Sequence, residues 1–326
     1  MIRLDPDIFA LLACPACKAS LRRENSAPAG LACPACGRSY PSVRGVPILI
    51  NEDNSIFSIQ DYVQPNTQSE QLDKHVRQRG GLAQRLRALI PQNVKNIGAD
   101  ENYARFAHAL LERTPQPLVL VIGAGAEGAG MSQILKNPTL RFINTEIFIA
   151  SNIHLVVDGH DIPLQAESVD GVIIQAVLEH VVDPARVVQE IYRVLKPNGV
   201  VYAETPFMQQ VHMGRYDFTR FTHLGHRRLF RQFDEIASGA ACGAGSVLAW
   251  SIEHFFLSFA GSKRALRAVI ILITRLLFFW LPYLDKLTIK STATLDAASS
   301  YYFLGSKGFQ TLPDRLLIQQ YRGAQQ

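Results

Sequence analysis

Apolar runs and amphipathic runs alternate through the middle of the chain. Pro117 to Ile122 (PLVLVI) is continuously apolar, which predicts a strand buried on both faces. Arg141 to Asn144 predicts a short second strand, and Val169 to Gln175 (VDGVIIQ) and Val200 to Thr205 predict two more. Between the last two, Pro184 to Leu195 places Val187, Val188, Ile191 and Leu195 on one helical face. Lys196-Pro197-Asn198-Gly199 then stops that helix, with Pro and Gly as breakers. Strand alternating with helix implies an α/β domain built on a parallel sheet.

The flanks have other patterns. Asn51 to Ser69 lacks periodicity and reads as a loop. Leu72 to Ile90 reads as one helix broken at Gly80-Gly81, and Asn102 to Arg113 as an amphipathic helix with Tyr103, Phe106, Ala107 and Leu110 on one face. Leu266 to Leu284 is strongly apolar but carries Arg267, Arg275 and Pro282. At helical spacing Lys263, Arg264, Arg267 and Arg275 share one arc of about 120°. A helix lying in a membrane interface, a helix buried in the domain or a dimer, and a spanning helix all remain open. Ser299 to Gly305 reads as a final strand that returns the chain to the sheet, which argues against a span. The resulting divisions are 1–50, 51–116, 117–232 and 233–326.

Cysteine usage adds a metal. Cys14-Pro15-Ala16-Cys17 and Cys33-Pro34-Ala35-Cys36 are two Cys-x-x-Cys turns, a spacing that supplies four thiolates to one structural Zn2+. Four sulfur ligands leave no open position for catalysis. Cys242 stands alone and reads as a small buried residue. The start of the chain, Met-Ile-Arg-Leu-Asp-Pro-Asp, has no apolar h-region, so the expected location is the cytoplasm or the cytosolic face of a membrane.

Candidate chemistry begins at Gly123-Ala124-Gly125-Ala126-Glu127-Gly128, directly after the first strand. Glycines there let backbone approach a ligand closely, and by itself the motif also fits a dinucleotide. Glu146 follows Gly123 by 23 residues, an offset suited to accepting ribose hydroxyls. Asp158-Gly159-His160-Asp161-Ile162-Pro163 precedes the VDGVIIQ strand, whose Gln175 ends beside the ligand, and Leu178-Glu179-His180-Val181 follows. In this order the motifs resemble a class I S-adenosylmethionine-dependent methyltransferase of the type 11 kind, over roughly residues 117 to 232. The resemblance implies a Rossmann-like α/β/α sandwich and S-adenosyl-L-methionine as cofactor. It assigns Gly123 and Gly125 to the methionine end, and Asp158 and Gly159 to adenine, with Asp161 a second candidate. His180 is read as fixing its loop by hydrogen bonding, with catalysis as the alternative. The front of the chain is similar to the small zinc ribbons that partner methyltransferases, which implies a clamp or docking surface.

The segment His212 to His223 is polar and aromatic and resembles a lid. Its acceptor-contact candidates are His212, Tyr216, Asp217, Arg220 and His223. Methyl transfer needs a positioned acceptor, and a hydroxyl acceptor also needs a base. His212 is the first candidate for that base and Asp217 the second. Charge changes the picture last. The 326 residues sum to +5, but residues 206–290 hold 11 Lys/Arg against 5 Asp/Glu, which suits an anionic partner such as a membrane surface. The acceptor expected is a small molecule, a sugar or a lipid-linked glycan, with a homodimer open. The rivals are an RNA or ribosome-associated methyltransferase, and a non-catalytic scaffold whose glycine loop has altered at Val121 and Glu127. A nicotinamide oxidoreductase ranks last.

Overall fold

A computed structural model describes residues 4–24, 30–64 and 90–325. The helix expected over Leu72 to Ile90 falls, except for its last residue, outside them. The ribbon supplies α1 (Pro6–Ala10) and strands β1 (Arg22–Glu24), β2 (Gly30–Ala32), β3 (Ser39–Val43) and β4 (Val46–Leu49). Next come α2 (Gln60–Val63), α3 (Ala99–Leu111), β5 (Leu118–Ile122), α4 (Met131–Leu135), β6 (Arg141–Glu146), β7 (Leu155–Val157), β8 (Val169–Gln175), α5 (Pro184–Val194) and β9 (Leu195–Pro206). The remainder is α6 (His223–Leu229), β10 (Phe233–Cys242), α7 (Ala244–Ser258), α8 (Arg264–Phe278), α9 (Leu281–Thr288), α10 (Thr292–Ala297), β11 (Ser300–Lys307) and α11 (Asp314–Leu317).

One sheet of 11 strands runs β1-β2-β3-β4-β7-β6-β5-β8-β9-β11-β10. From β4 to β9 every pairing is parallel, and β11 returns antiparallel between β9 and β10. The period of two along each strand sends alternate side chains to opposite faces. Leu120 and Ile122 therefore pack with Val187, Val188 and Ile191 of α5 and with Leu12, Leu31 and Tyr40 of the ribbon. Val119 and Val121 pack on the other face with Tyr103, Phe106 and Leu110 of α3 and Met131 of α4. Burial on both faces is what permits strands as uniformly apolar as β5.

Three features go beyond or differ from the sequence reading. The ribbon is continuous with the domain: Ile48 and Leu49 of β4 pair with Val156 and Val157 of β7. The apolar stretch near the end is two helices, α8 and α9, meeting at a bend of 43°. Pro282 lies in the first turn of α9, where its missing N–H is tolerated, whereas inside a continuous helix its ring would clash with the preceding turn. Among the described residues no single helix is long and apolar enough to cross a membrane, although the bent pair passes by length and composition. Arg275 also leaves the expected basic arc. Its Nε lies 2.9 Å from the buried carboxylate of Glu253 on α7, which also accepts from Asn93 at 2.8 Å. Asp285 of α9 is fully buried and caps the start of α7, accepting from the N–H groups of Gly243, Gly245 and Ser246 at 3.0, 2.7 and 3.1 Å.

Candidate active site

Chain order reverses between β5 and β8: the strands after β5 extend one way through β6 and β7, and β8 begins the other half. Ligands bind at such a switch point, beyond the carboxyl ends of the strands. A cavity of about 1040 Å³ opens there, lined by the turn after β5, the ends of β6, β7, β8 and β9, and the segment after β9.

The glycine turn forms one wall. Gly123 has φ +84°, a conformation open to residues without a Cβ. A Cβ on Gly125 would lie 2.1 Å from the Phe148 ring and 2.7 Å from Glu146 Oε2, and one on Gly128 would lie 1.8 Å from Gln175 Oε1. The turn is thus pressed against the two side chains that end β6 and β8. Glu146 accepts from the N–H groups of Gly125 at 3.0 Å and Ile147 at 2.7 Å. Burial pushes its carboxyl up, and those two N–H groups oppose the shift. Gln175 accepts from the Tyr103 hydroxyl at 2.9 Å and donates to Glu204 Oε2 at 2.9 Å. Glu204 also accepts from Asn96 at 2.8 Å and from the Tyr202 hydroxyl.

At the end of β7, Asp158 takes the N–H and ring Nδ1 of His160 on one oxygen and the Ser55 hydroxyl on the other. Burial works against its charge, yet His160 and Ser55 hold the carboxyl below its ordinary range. Gly159 lines the cavity beside it. Asp161 does not line it. It accepts from Asn51, Asn54 and Arg186 at 3.0, 3.1 and 2.7 Å, so it joins the post-ribbon segment to α5 and does not fit an adenine contact.

Across the cavity stand Glu179, His180 and His212. Glu179 is 1% exposed and burial pushes its carboxyl up to about 8. Burial lowers both histidines, favouring neutral rings. Asp217 is outside this lining. Its carboxylate is committed to the Arg220 guanidinium and to the His212 N–H, at 2.9 Å, and despite burial these hold it well below the carboxylate range. A carboxylate so paired locks the lid segment and is not available as a base, which corrects the sequence reading. Arg220 belongs to the same lock. Tyr216 lines the cavity, stacked on Phe57 at 5.8 Å between ring centroids. His223 is remote from it, on α6 beside Tyr301.

Residues 137–203 match the family model described as "Methyltransferase domain", and residues 5–45 match the one described as "Trm112p-like protein". The first match begins just after α4 and ends within β9, so it takes in β6, β7, β8 and α5 but not β5 or the glycine turn. Residues 137–203 thus carry a methyltransferase domain. No curated protein matches it. Among solved structures, the methyltransferase is similar to a putative sarcosine dimethylglycine methyltransferase from Galdieria sulphuraria, with 16% identity over 74% of this chain and 98% of that one, at a TM-score of 0.45. It is also similar to a complex between the Haloferax volcanii Trm112 methyltransferase activator and a putative methyltransferase, with 17% identity, coverage of 65% and 92%, and a TM-score of 0.38. A third is the Burkholderia thailandensis 1,6-didemethyltoxoflavin-N1-methyltransferase, with 12% identity, coverage of 84% and 96%, and a TM-score of 0.43.

S-adenosylmethionine fits the methyltransferase's cavity. Its size suits a nucleoside-linked ligand, the glycine turn exposes backbone, and carboxylates end β6 and β7. The four ribbon thiols also fit their metal. Cys14 and Cys36 sulfurs lie 3.7 Å apart, Cys17 and Cys33 sulfurs 3.4 Å, and all four fall within 4.8 Å of one another. A tetrahedral zinc with Zn–S bonds of about 2.3 Å requires sulfurs about 3.8 Å apart. Glu204, Asn96 and Tyr103 were not singled out as site residues by the sequence. Glu204 could have been, since the alternation in VVYAET puts it on the face of Tyr202 at a strand's carboxyl end.

Proposed function

We propose that the methyltransferase transfers a methyl group to an oxygen of a small polar acceptor, a sugar or a lipid-linked sugar. The observation that supports this reading most is the two-ended cavity: glycine backbone, Glu146 and Asp158 at one end, Glu179, His180 and His212 at the other. S-adenosylmethionine, when bound, supplies an electrophilic methyl carbon on a sulfonium centre. Glu146 is positioned to accept ribose hydroxyls, Asp158 and the Gly159 N–H to meet adenine, and Gly123 and Gly125 to pass backbone along the methionine end. Gln175, clamped by Tyr103 and Glu204, fixes the floor between the two ends. His212 stands where an acceptor hydroxyl would lose its proton, and Asp217 holds the segment that carries it.

Calorimetry with S-adenosylhomocysteine tests the assignment. Glu146→Ala and Asp158→Ala should each weaken binding about 10- to 100-fold, the loss of a charge-assisted hydrogen bond or two. NADH should give no heat. Unchanged affinity in both variants would remove these residues from the cofactor site.

We further propose that the acceptor is met at an anionic membrane surface, with the protein peripheral on its cytosolic face. Phe255, Phe259, Leu276, Leu277 and Leu287 on or beside α7, α8 and α9 are 61%, 72%, 54%, 59% and 83% exposed, an apolar surface that water does not favour. Exposed Lys263, Arg264 and Arg267 begin α8, and Lys286 and Lys290 end α9, giving cations to meet lipid phosphates. Trp250 of α7 lies 6.0 Å from the His212 ring between centroids, so this face adjoins the acceptor end. The protein should sediment with phosphatidylglycerol-containing vesicles, more weakly with phosphatidylcholine, and the Leu276→Glu/Leu277→Glu double variant should stay in solution. Absence of vesicle binding with a dimeric mass would give the face to a second copy instead.

A further inference from the structure

We infer that Glu179, His180 and His212 form a binding site for one divalent transition-metal ion at the acceptor end of the cavity. The ligand atoms converge. His180 Nε2 is 3.6 Å and His212 Nε2 3.8 Å from Glu179 Oε1, and the three ligand atoms fall within 4.8 Å of one another.

The surroundings prepare these atoms for a cation. His180 Nδ1 lies 2.8 Å from the Tyr216 carbonyl and His212 Nδ1 3.3 Å from the Gln210 carbonyl. A carbonyl can only accept, so each Nδ1 carries the proton and each Nε2 keeps a bare lone pair. That is the arrangement by which backbone carbonyls orient metal-binding imidazoles. Glu179 brings the second, independent observation. It is 1% exposed, and neither carboxylate oxygen has a hydrogen-bond partner among the described residues. Buried carboxylates are ordinarily paired, hydrogen-bonded or bound to metal. The two lone pairs and the buried carboxyl converge at 3.6 and 3.8 Å without a hydrogen bond among them, and a cation would satisfy all three atoms at once.

Two imidazoles and one carboxylate suit manganese, iron, cobalt or zinc, and three protein ligands leave coordination positions open. All three residues line the cavity, so the open positions face it. Two bonds of about 2.1 Å at a tetrahedral angle span about 3.4 Å, so the separations of 3.6 and 3.8 Å to Glu179 Oε1 would close by a few tenths of an ångström through side-chain rotation, with the Asp217 contact to the His212 N–H kept. The class of acceptor follows, and this part rests on the methyl-transfer reading above. Two adjacent oxygens, such as a vicinal diol or a hydroxyl beside a carbonyl, would fill two open positions. With the ion bound, His212 would serve as a ligand in place of acting as the base: the bound hydroxyl would lose its proton to solvent, and its oxygen would form a bond to the methyl carbon. The carbon–sulfur bond would break with its electron pair left on sulfur, giving neutral ether and neutral thioether.

The test is manganese binding followed by electron paramagnetic resonance on the full chain, prepared so that metal analysis gives one zinc per chain, the ribbon's own. Manganese prefers oxygen and nitrogen to thiolate, so the ribbon does not compete. One manganese per chain should bind saturably, and Glu179→Gln and His212→Ala should each weaken it at least tenfold. Glu179→Gln preserves shape at a buried position, and His212→Ala lies on the lid segment, so one folded variant suffices for the comparison. Absence of saturable binding, or equal binding in wild type and both variants, would overturn the site. S-adenosylhomocysteine calorimetry on the same samples separates the two readings: homocysteine-form binding without manganese overturns the metal site alone, and manganese without it overturns the cofactor assignment.

Discussion

His226 shows how a single buried group sets a limit on the whole structure. It lies 2% exposed among Phe221, Phe230 and Phe303, with no partner for Nε2 among the described residues. Burial, then the neighbouring His223, pushes its imidazole down to about 3, and burial first pushes His223 down to about 4. Both rings are neutral in the folded chain, whereas the unfolded chain protonates them near pH 6.5. Their contribution is therefore intact above that pH and is lost as the pH falls towards 4, at up to about 1.4 kcal/mol per pH unit for each ring. Thermal melts from pH 7 to pH 4 should show a steep acid limb, and His226→Phe should flatten it. An unchanged limb would place the acid sensitivity elsewhere.

Among the elements, α7 depends on a residue 39 positions or more away in sequence. Asp285 takes three N–H groups and the Ser246 hydroxyl, at 2.7 Å, at the start of α7. Backbone packing is equally close, since a Cβ on Gly245 would lie 2.2 Å from the Leu281 carbonyl oxygen. Asp285→Ala would strand these donors in a buried site and should cost about 3 kcal/mol in denaturant unfolding, mostly by loosening α7 from α9. A cost below about 0.5 kcal/mol would mean that water replaces the carboxylate. This contact explains what the sequence could and could not reveal. The glycine turn, Glu146 and Asp158 are legible because each sits at the end of an apolar strand, where local pattern and position coincide. The convergence of Glu179 with His212 depends on how the segment after β9 folds back, which no local period encodes. Arg275 read as part of a basic arc suited to lipid headgroups because helical spacing fixes direction but not the neighbour, Glu253, that waits there.

For the whole molecule, the ribbon and the catalytic sheet share one core. Leu12, Leu31 and Tyr40 pack in the same cluster as Val172, Ile174 and Leu195. The sequence places the cysteine turns and the sheet in separate stretches, and nothing between them announces that β4 joins β7. Lys18 also reaches Glu190 of α5 at 2.8 Å. Removal of zinc should therefore lower the melting temperature of the entire chain in a single transition, by ten degrees or more on the scale of a structural site's folding energy, of order 10 kcal/mol. A separate early transition with an unshifted main one would show the ribbon to be an independent unit.

The β4–β7 pairing has one more consequence. Without β4, β7 would be the outer strand of the parallel sheet, with its N–H and C=O groups facing solvent. Such an edge is a template for other chains. A zinc held by the four thiols would keep β4 in place and that edge covered, so the zinc-free protein should pellet as aggregate where the zinc-loaded protein stays in solution.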